Sequence, residues 1–157
     1  MTNEVAIYLK LLLKIGFHDK YFQYLERILS EEPKLSGILL ELSFCGQDVN
    51  EAISCLLKHT YCEIINYDIV ASMILEDFKE LYLSKQISMQ DLIIAMHIAA
   101  VDSEQEQVQP WRTMEKLYFH YDDGLEEMYP NDFIEELLTD LVASKTLCKR
   151  KMPDNFN

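Results

Sequence analysis

Helix breakers are scarce in this chain. Four glycines and four prolines are all that 157 residues hold. Between them, apolar residues recur at three- and four-residue spacing. A chain with so few places to turn sharply is built of helices with short connections. The spacing predicts a helix over 4–15, closed by Gly16 as a C-cap glycine. A second follows Asp19 as its N-cap, with Tyr21, Phe22, Leu25, Ile28 and Leu29 inward. A third covers 34–45, with Leu35, Ile38, Leu39 and Leu42 inward, and stops at Gly46.

The fourth helix opens on Asp48, Val49, Asn50, Glu51, a capping box with Asp in the capping role. Its inward stripe is Val49, Ala52, Ile53, Leu56 and Leu57. A fifth is expected over 68–83. A sixth follows Ser88, and there every residue from Leu92 to Val101 except His97 is apolar, so this helix is expected to be the central one. Residues 103–109 read as a polar loop. Pro110 suits the first turn of a seventh helix that turns Trp111, Met114, Leu117, Tyr118 and Tyr121 inward. The last helix follows Pro130 and Asn131, with Phe133, Ile134, Leu137, Leu138, Leu141 and Val142 on one stripe. The expected fold is all-α, a single domain over 1–148 made of about seven to eight antiparallel helices, as an irregular bundle or a short stack of helical hairpins. Residues 149–157 form a basic tail that is expected to fray.

Charge divides the chain unevenly. Residues 101–140 hold twelve acids against Arg112 and Lys116, a net charge of −10 in a protein whose total is −13. Asp132, Glu136 and Asp140 are four apart, so they stack on one helical face and repel by a few tenths of a kcal/mol per pair, roughly. Asp122 and Asp123 end a predicted helix just before Gly124, where the helix dipole disfavours anions. A solvated surface tolerates such placements, and so does a surface made for a cationic partner. A sequence pI near 4.6 speaks against nucleic-acid binding, which needs clustered Lys and Arg. The apolar run 5–15 contains Lys10 and Lys14 and is too short to span a bilayer. The first residues lack the basic region of a secretory signal, and four cysteines form no dense disulfide framework. A reducing cytoplasmic location is the simplest expectation.

Catalytic motifs are missing. There is no nucleophile elbow, no Gly-rich phosphate loop and no His-Glu-x-x-His. Cys55, His59 and Cys62, with Cys45 as a fourth candidate, match no familiar zinc spacing, and buried cysteines are common small hydrophobes. No cofactor, metal or enzymatic activity is therefore expected. His97 reads as a core histidine with a satisfied hydrogen bond. His120, beside Asp122 and Asp123, is expected to have its pKa raised by those carboxylates.

Aromatics gather near the acids. Phe119 and Tyr129 fall off the inward stripes, so they are expected at the surface. Exposed aromatics supply contact area to a protein interface, and flanking acids steer a cationic partner to it. The candidate partner-binding residues are Asp122, Asp123, Glu126, Glu127, Tyr129, Asp132, Glu136, Asp140, Phe119 and His120.

Two resemblances arise. The stretch Gly46-Gln47-Asp48-Val49-Asn50-Glu51-Ala52-Ile53, followed by Leu56-Leu57, resembles the last helix of ubiquitin-associated domains, and Gly16-Phe17 resembles their loop. The interval between the two is too long for that small domain. The second resemblance is one of overall character, without a specific motif. A small, acidic, all-helical chain with no catalytic signature is similar to the bacterial immunity proteins that neutralise polymorphic or contact-dependent toxins. That resemblance implies a tight one-to-one complex with a cognate basic toxin, often a nuclease, with no nucleic acid or membrane as direct partner. The alternatives are a helical adaptor without inhibitory action and, less in keeping with the residues, a metal-binding protein or enzyme.

Overall fold

A computed structural model describes residues 1–31, 37–122 (the backbone alone for 120–122) and 138–139. Among these the chain is all-helical, with seven α-helices and no strand. They are α1 (Asn3–Lys14), α2 (His18–Glu31), α3 (Gly37–Cys45), α4 (Val49–Thr60), α5 (Tyr67–Leu83), α6 (Met89–Asp102) and α7 (Trp111–Asp122). The all-α expectation is met. Contacts group the chain into two compact units, Met1–Val70 and Ala71–Asn157. No helix among the described residues is long and apolar enough to cross a membrane.

Local chemistry sets the helix ends. Thr2 caps α1, its hydroxyl accepting the Val5 N–H at 3.3 Å. At the other end Gly16 has φ +84, Phe17 N–H donates to Leu12 O at 2.8 Å, and Gly16 N–H donates to Leu13 O at 3.2 Å. This pair of bonds satisfies two carbonyls that the helix itself leaves open, and glycine adopts the left-handed conformation they require. The Asp48 carboxylate caps α4 by accepting the Glu51 N–H at 3.0 Å. The Asp48 N–H donates instead to Cys45 O, at 2.9 Å, which ties the start of α4 to the end of α3. Ser88 caps α6, accepting the Asp91 N–H at 3.1 Å and donating its hydroxyl proton to the Asp91 carboxylate at 2.7 Å. Asp19 is not a cap: α2 begins one residue earlier, and Tyr21 N–H donates to Phe17 O at 3.1 Å.

In the first unit α1 packs against α4 and α2, and α3 packs against α4. Eight consecutive residues of α1 are buried: Ala6, Ile7, Tyr8, Leu9, Lys10, Leu11, Leu12 and Leu13. A helix buried on every side is a central one. Each fully buried leucine, such as Leu9 or Leu12, contributes roughly 1.5–3 kcal/mol relative to an exposed one. The N-terminus of α1 is held by polar contacts as well. Asn3 donates to the Glu63 carboxylate at 3.2 Å, and Asn66 N–H donates to the Glu4 carboxylate at 3.3 Å. Backbone N–H donation, first from Glu4 itself and then from Asn66, stabilises the ionised form and holds the Glu4 pKa below its ordinary value.

In the second unit α6 packs against α7 as a helical hairpin across residues 103–110. Ala71, Ile74, Leu75 and Phe78 are fully buried along the part of α5 that lies in this unit. Leu92, Ile93, Ala95, Met96, Ala99 and Ala100 are buried along α6, but Ile94 and Val101 are exposed. The all-apolar run of α6 is therefore not enclosed on every side: it keeps a solvent edge at Ile94 and Val101. Trp111, Met114 and Leu117 are buried on α7, following the expected stripe, and Leu138 is 1% exposed.

Candidate partner-binding face

The described part of the candidate face is carried by the α6–α7 hairpin. The stripe of Trp111, Met114 and Leu117 turns α7 inward. That leaves Phe119 outward, with 52% of its surface exposed. Its ring stands edge-on to two others, His97 at 5.8 Å and Tyr118 at 5.9 Å between centroids. His97 and Tyr118 in turn stack, with centroids 4.2 Å apart and planes 17° from parallel. The three rings form one cluster joining α6 to α7, and offset or edge-on arrangements of this kind add about 0.5–1.5 kcal/mol to the area they bury.

His97 departs from expectation. Its Nδ1 is buried and has no hydrogen-bond partner among the described residues. The ring is therefore held by stacking on Tyr118, not by a hydrogen bond at that nitrogen. Ile94 and Val101 lie one turn to either side of His97 on the same face of α6 and are 37% and 46% exposed. Together with Phe119 they give this hairpin an apolar edge.

The electrostatics of the hairpin differ from those of the whole C-terminal third. Arg112, Lys116 and Phe119 are exposed and spaced by four and three, so they share one face of α7. Of the twelve acids in 101–140, Asp102, Glu104, Glu106 and Glu115 have described side chains. Asp122 is described as part of the α7 backbone, as are His120 and Tyr121. Asp123, Glu126, Glu127, Tyr129, Asp132, Glu135, Glu136 and Asp140 lie outside the described residues. Of the ten candidate positions, the structure thus places the side chain of Phe119 alone.

No family model, curated protein or solved structure matches this chain.

The second group of chemically capable residues sits in the first unit. The Cys45 and Cys55 sulfurs are 3.8 Å apart, and Cys62 is exposed. His59 Nε2 is buried and has no hydrogen-bond partner among the described residues. Among the described residues no three His, Cys, Asp or Glu side chains converge to hold a metal ion. An open cleft of about 510 Å³ lies along α1 and α2, lined by Val5, Tyr24, Arg27, Ile28 and Glu31. Arg27 lies over the Tyr24 ring there, at 4.2 Å.

Sequence reasoning missed the His97–Tyr118 stack. His97 stood out as the one polar residue of its run, and Tyr118 as an inward position. Nothing local joins residues that far apart in the chain.

Proposed function

We propose that this chain is a protein-binding inhibitor, an immunity protein that neutralises a cognate basic toxin, most concretely a nuclease, through the acidic surface of its C-terminal third. The observation that carries the reading is the charge of residues 101–140, twelve acids against two bases. A nuclease is cationic where it holds phosphate. A carboxylate-rich surface competes for that site, and complementary fields raise the association rate. The exposed Phe119, within this stretch and three residues before Asp122, supplies apolar contact of the type that dominates interface energies. The chain then acts by occlusion, without catalysis and without a cofactor, in the cytoplasm of the bacterium that makes the toxin.

A second reading is favoured by one observation. Arg112 and Lys116 share the exposed α7 face with Phe119, so this part of the face suits an acidic or mixed partner better than a basic one. A helical adaptor without inhibitory action fits that arrangement.

Co-expression with the product of the adjacent open reading frame separates the two. Under the inhibitor reading, cells survive induction of that product only when this chain is present, and the two proteins co-purify in equal amounts. Survival without this chain, or a neighbour with no toxic activity, leaves the adaptor reading.

A further inference from the structure

Cys45 is the last residue of α3, and Cys55 lies on the second turn of α4. Their sulfurs are 3.8 Å apart. The turn between the helices is fixed by the bonds that begin α4, with Asp48 N–H donating to Cys45 O at 2.9 Å and the Asp48 carboxylate accepting the Glu51 N–H at 3.0 Å. The Cys45 thiol donates to Glu41 O at 3.4 Å, which leaves its sulfur to accept the Cys55 S–H. The two thiols differ in access. Cys45 is 6% exposed, and Cys55 is half-buried. Burial, with the neighbouring Cys55 thiol, pushes the Cys45 pKa up to about 11, so Cys45 is not the group that first meets an oxidant.

We propose that Cys45 and Cys55 are a thiol–disulfide exchange site, a dithiol that a small disulfide of the glutathione class converts to a bond between the end of α3 and α4. The Cys55 thiolate attacks one sulfur of the small disulfide and expels the first thiolate, which takes up a proton. Cys45 then gives up its proton, attacks the Cys55 sulfur of the mixed disulfide and expels the second thiolate. Two cysteine thiols are oxidised, one small disulfide is reduced to two thiols, and the two cysteine protons end on those thiols. The sulfurs close from 3.8 Å to the bond length of about 2.05 Å, a movement within reach of side-chain rotation. Cys62 is exposed and serves as an internal control, free to be capped but not paired in this way.

The test uses the full chain equilibrated in glutathione buffers of graded oxidised-to-reduced ratio. Samples are quenched in acid, alkylated with N-ethylmaleimide, digested and mapped by mass spectrometry. A Cys45–Cys55 linked peptide grows with oxidised glutathione, disappears in excess reduced glutathione, and exceeds any linkage through Cys62 by about tenfold or more, because a pre-placed thiol acts at high effective concentration. Cys45→Ser leaves Cys55 as a lasting mixed disulfide with glutathione, and Cys55→Ser leaves Cys45 as the free thiol. Accumulation of the Cys55–glutathione adduct in the wild-type chain, with Cys45 unlinked, overturns the proposal. So does preferential linkage through Cys62 or Cys148, or a Cys45–Cys55 pair still reduced where Cys62 is fully capped. The wild-type map decides the matter even if a serine variant does not fold.

Discussion

His97 on α6 stacks on Tyr118 of α7, with ring centroids 4.2 Å apart and planes 17° from parallel, while its Nδ1 lies buried without a hydrogen-bond partner among the described residues. The two facts predict unequal responses to substitution. Tyr118→Ala removes a stacked ring at the α6–α7 contact and is expected to destabilise by about 2–4 kcal/mol. His97→Leu loses the stack but also removes a desolvated nitrogen, so it is expected to fall within about 1 kcal/mol of wild type. Urea unfolding followed by circular dichroism measures both. A His97→Leu loss as large as that of Tyr118→Ala contradicts a buried nitrogen whose desolvation offsets the stack.

The end of α5 stores a conformation that its residue does not favour. Lys85 has φ +58, Lys85 N–H donates to Tyr82 O at 3.0 Å, and Gln86 N–H donates to Leu81 O at 2.9 Å. This is the bonding that closes α1, where glycine occupies the left-handed position. Lys85→Gly relieves a left-handed penalty of roughly 1–2 kcal/mol and gives back part of it through the freer unfolded chain. A net stabilisation of about 0.5–1 kcal/mol is expected. Thermal melts of the two proteins at equal concentration decide it, and a lower melting temperature for the glycine variant refutes the account.

Tyr21 is 1% exposed, and burial, with the nearby Cys45 and Cys55 thiols, raises its pKa to about 12. Its neutral form belongs to the folded state. The stability this provides is fully present below the ordinary pKa of about 10. It is lost as pH rises from there through the folded value near 12. Tyr21→Phe has no proton to lose, so its unfolding midpoint in urea is expected to fall less steeply above pH 10. Equal alkaline slopes for both proteins contradict the assignment.

Leu138 is 1% exposed and sits where the stripe of Phe133, Ile134, Leu137, Leu138, Leu141 and Val142 predicts a buried position. Leu138→Ala is expected to destabilise by about 2–5 kcal/mol. A loss under half a kcal/mol, roughly, places this stripe at the surface instead.

Most of the helix positions were legible because their signals are local. Asp48 and Ser88 cap the helices that follow them, Gly16 closes the one before it, and Phe119 is exposed because it falls off the stripe of Trp111, Met114 and Leu117. How completely each helix is covered was not legible. Lys10 interrupts the apolar run of α1 and reads as a solvent marker, yet it is 7% exposed. A long aliphatic stem lets lysine lie within a packed helix. The all-apolar run of α6 reads as enclosed, yet Ile94 and Val101 reach solvent. Periodicity reports which residues avoid water on average, and it takes the partner helices to say how much of a face is covered. The pairings His97–Tyr118 and Cys45–Cys55 are tertiary facts, and no spacing rule predicts them.

Asp122, Asp123, Glu136 and Asp140 lie off the apolar stripes, and all but Asp122 fall outside the described residues. If the surface steers a cationic partner, reversing these four to Lys slows association with the neighbouring gene's product about tenfold or more at low salt. It also flattens the dependence of the association rate on ionic strength, since steering between exposed charges is screened over about 8–10 Å near physiological salt. Folding survives: reversal at Glu136 turns its repulsion with Asp132 into attraction, while positions 136 and 140 remain like-charged, so stability changes by no more than a few tenths of a kcal/mol, roughly. The control is reversal of Glu26, Glu31 and Glu41, which are exposed in the first unit. Glu4 is unsuitable for it, because its carboxylate accepts the Asn66 N–H and reversal there disturbs α1. Stopped-flow association at several salt concentrations compares the two sets. A clear slowing confined to the first set supports the inhibitor reading. Equal effects from both sets make the acidic third a solvated surface and remove its main support.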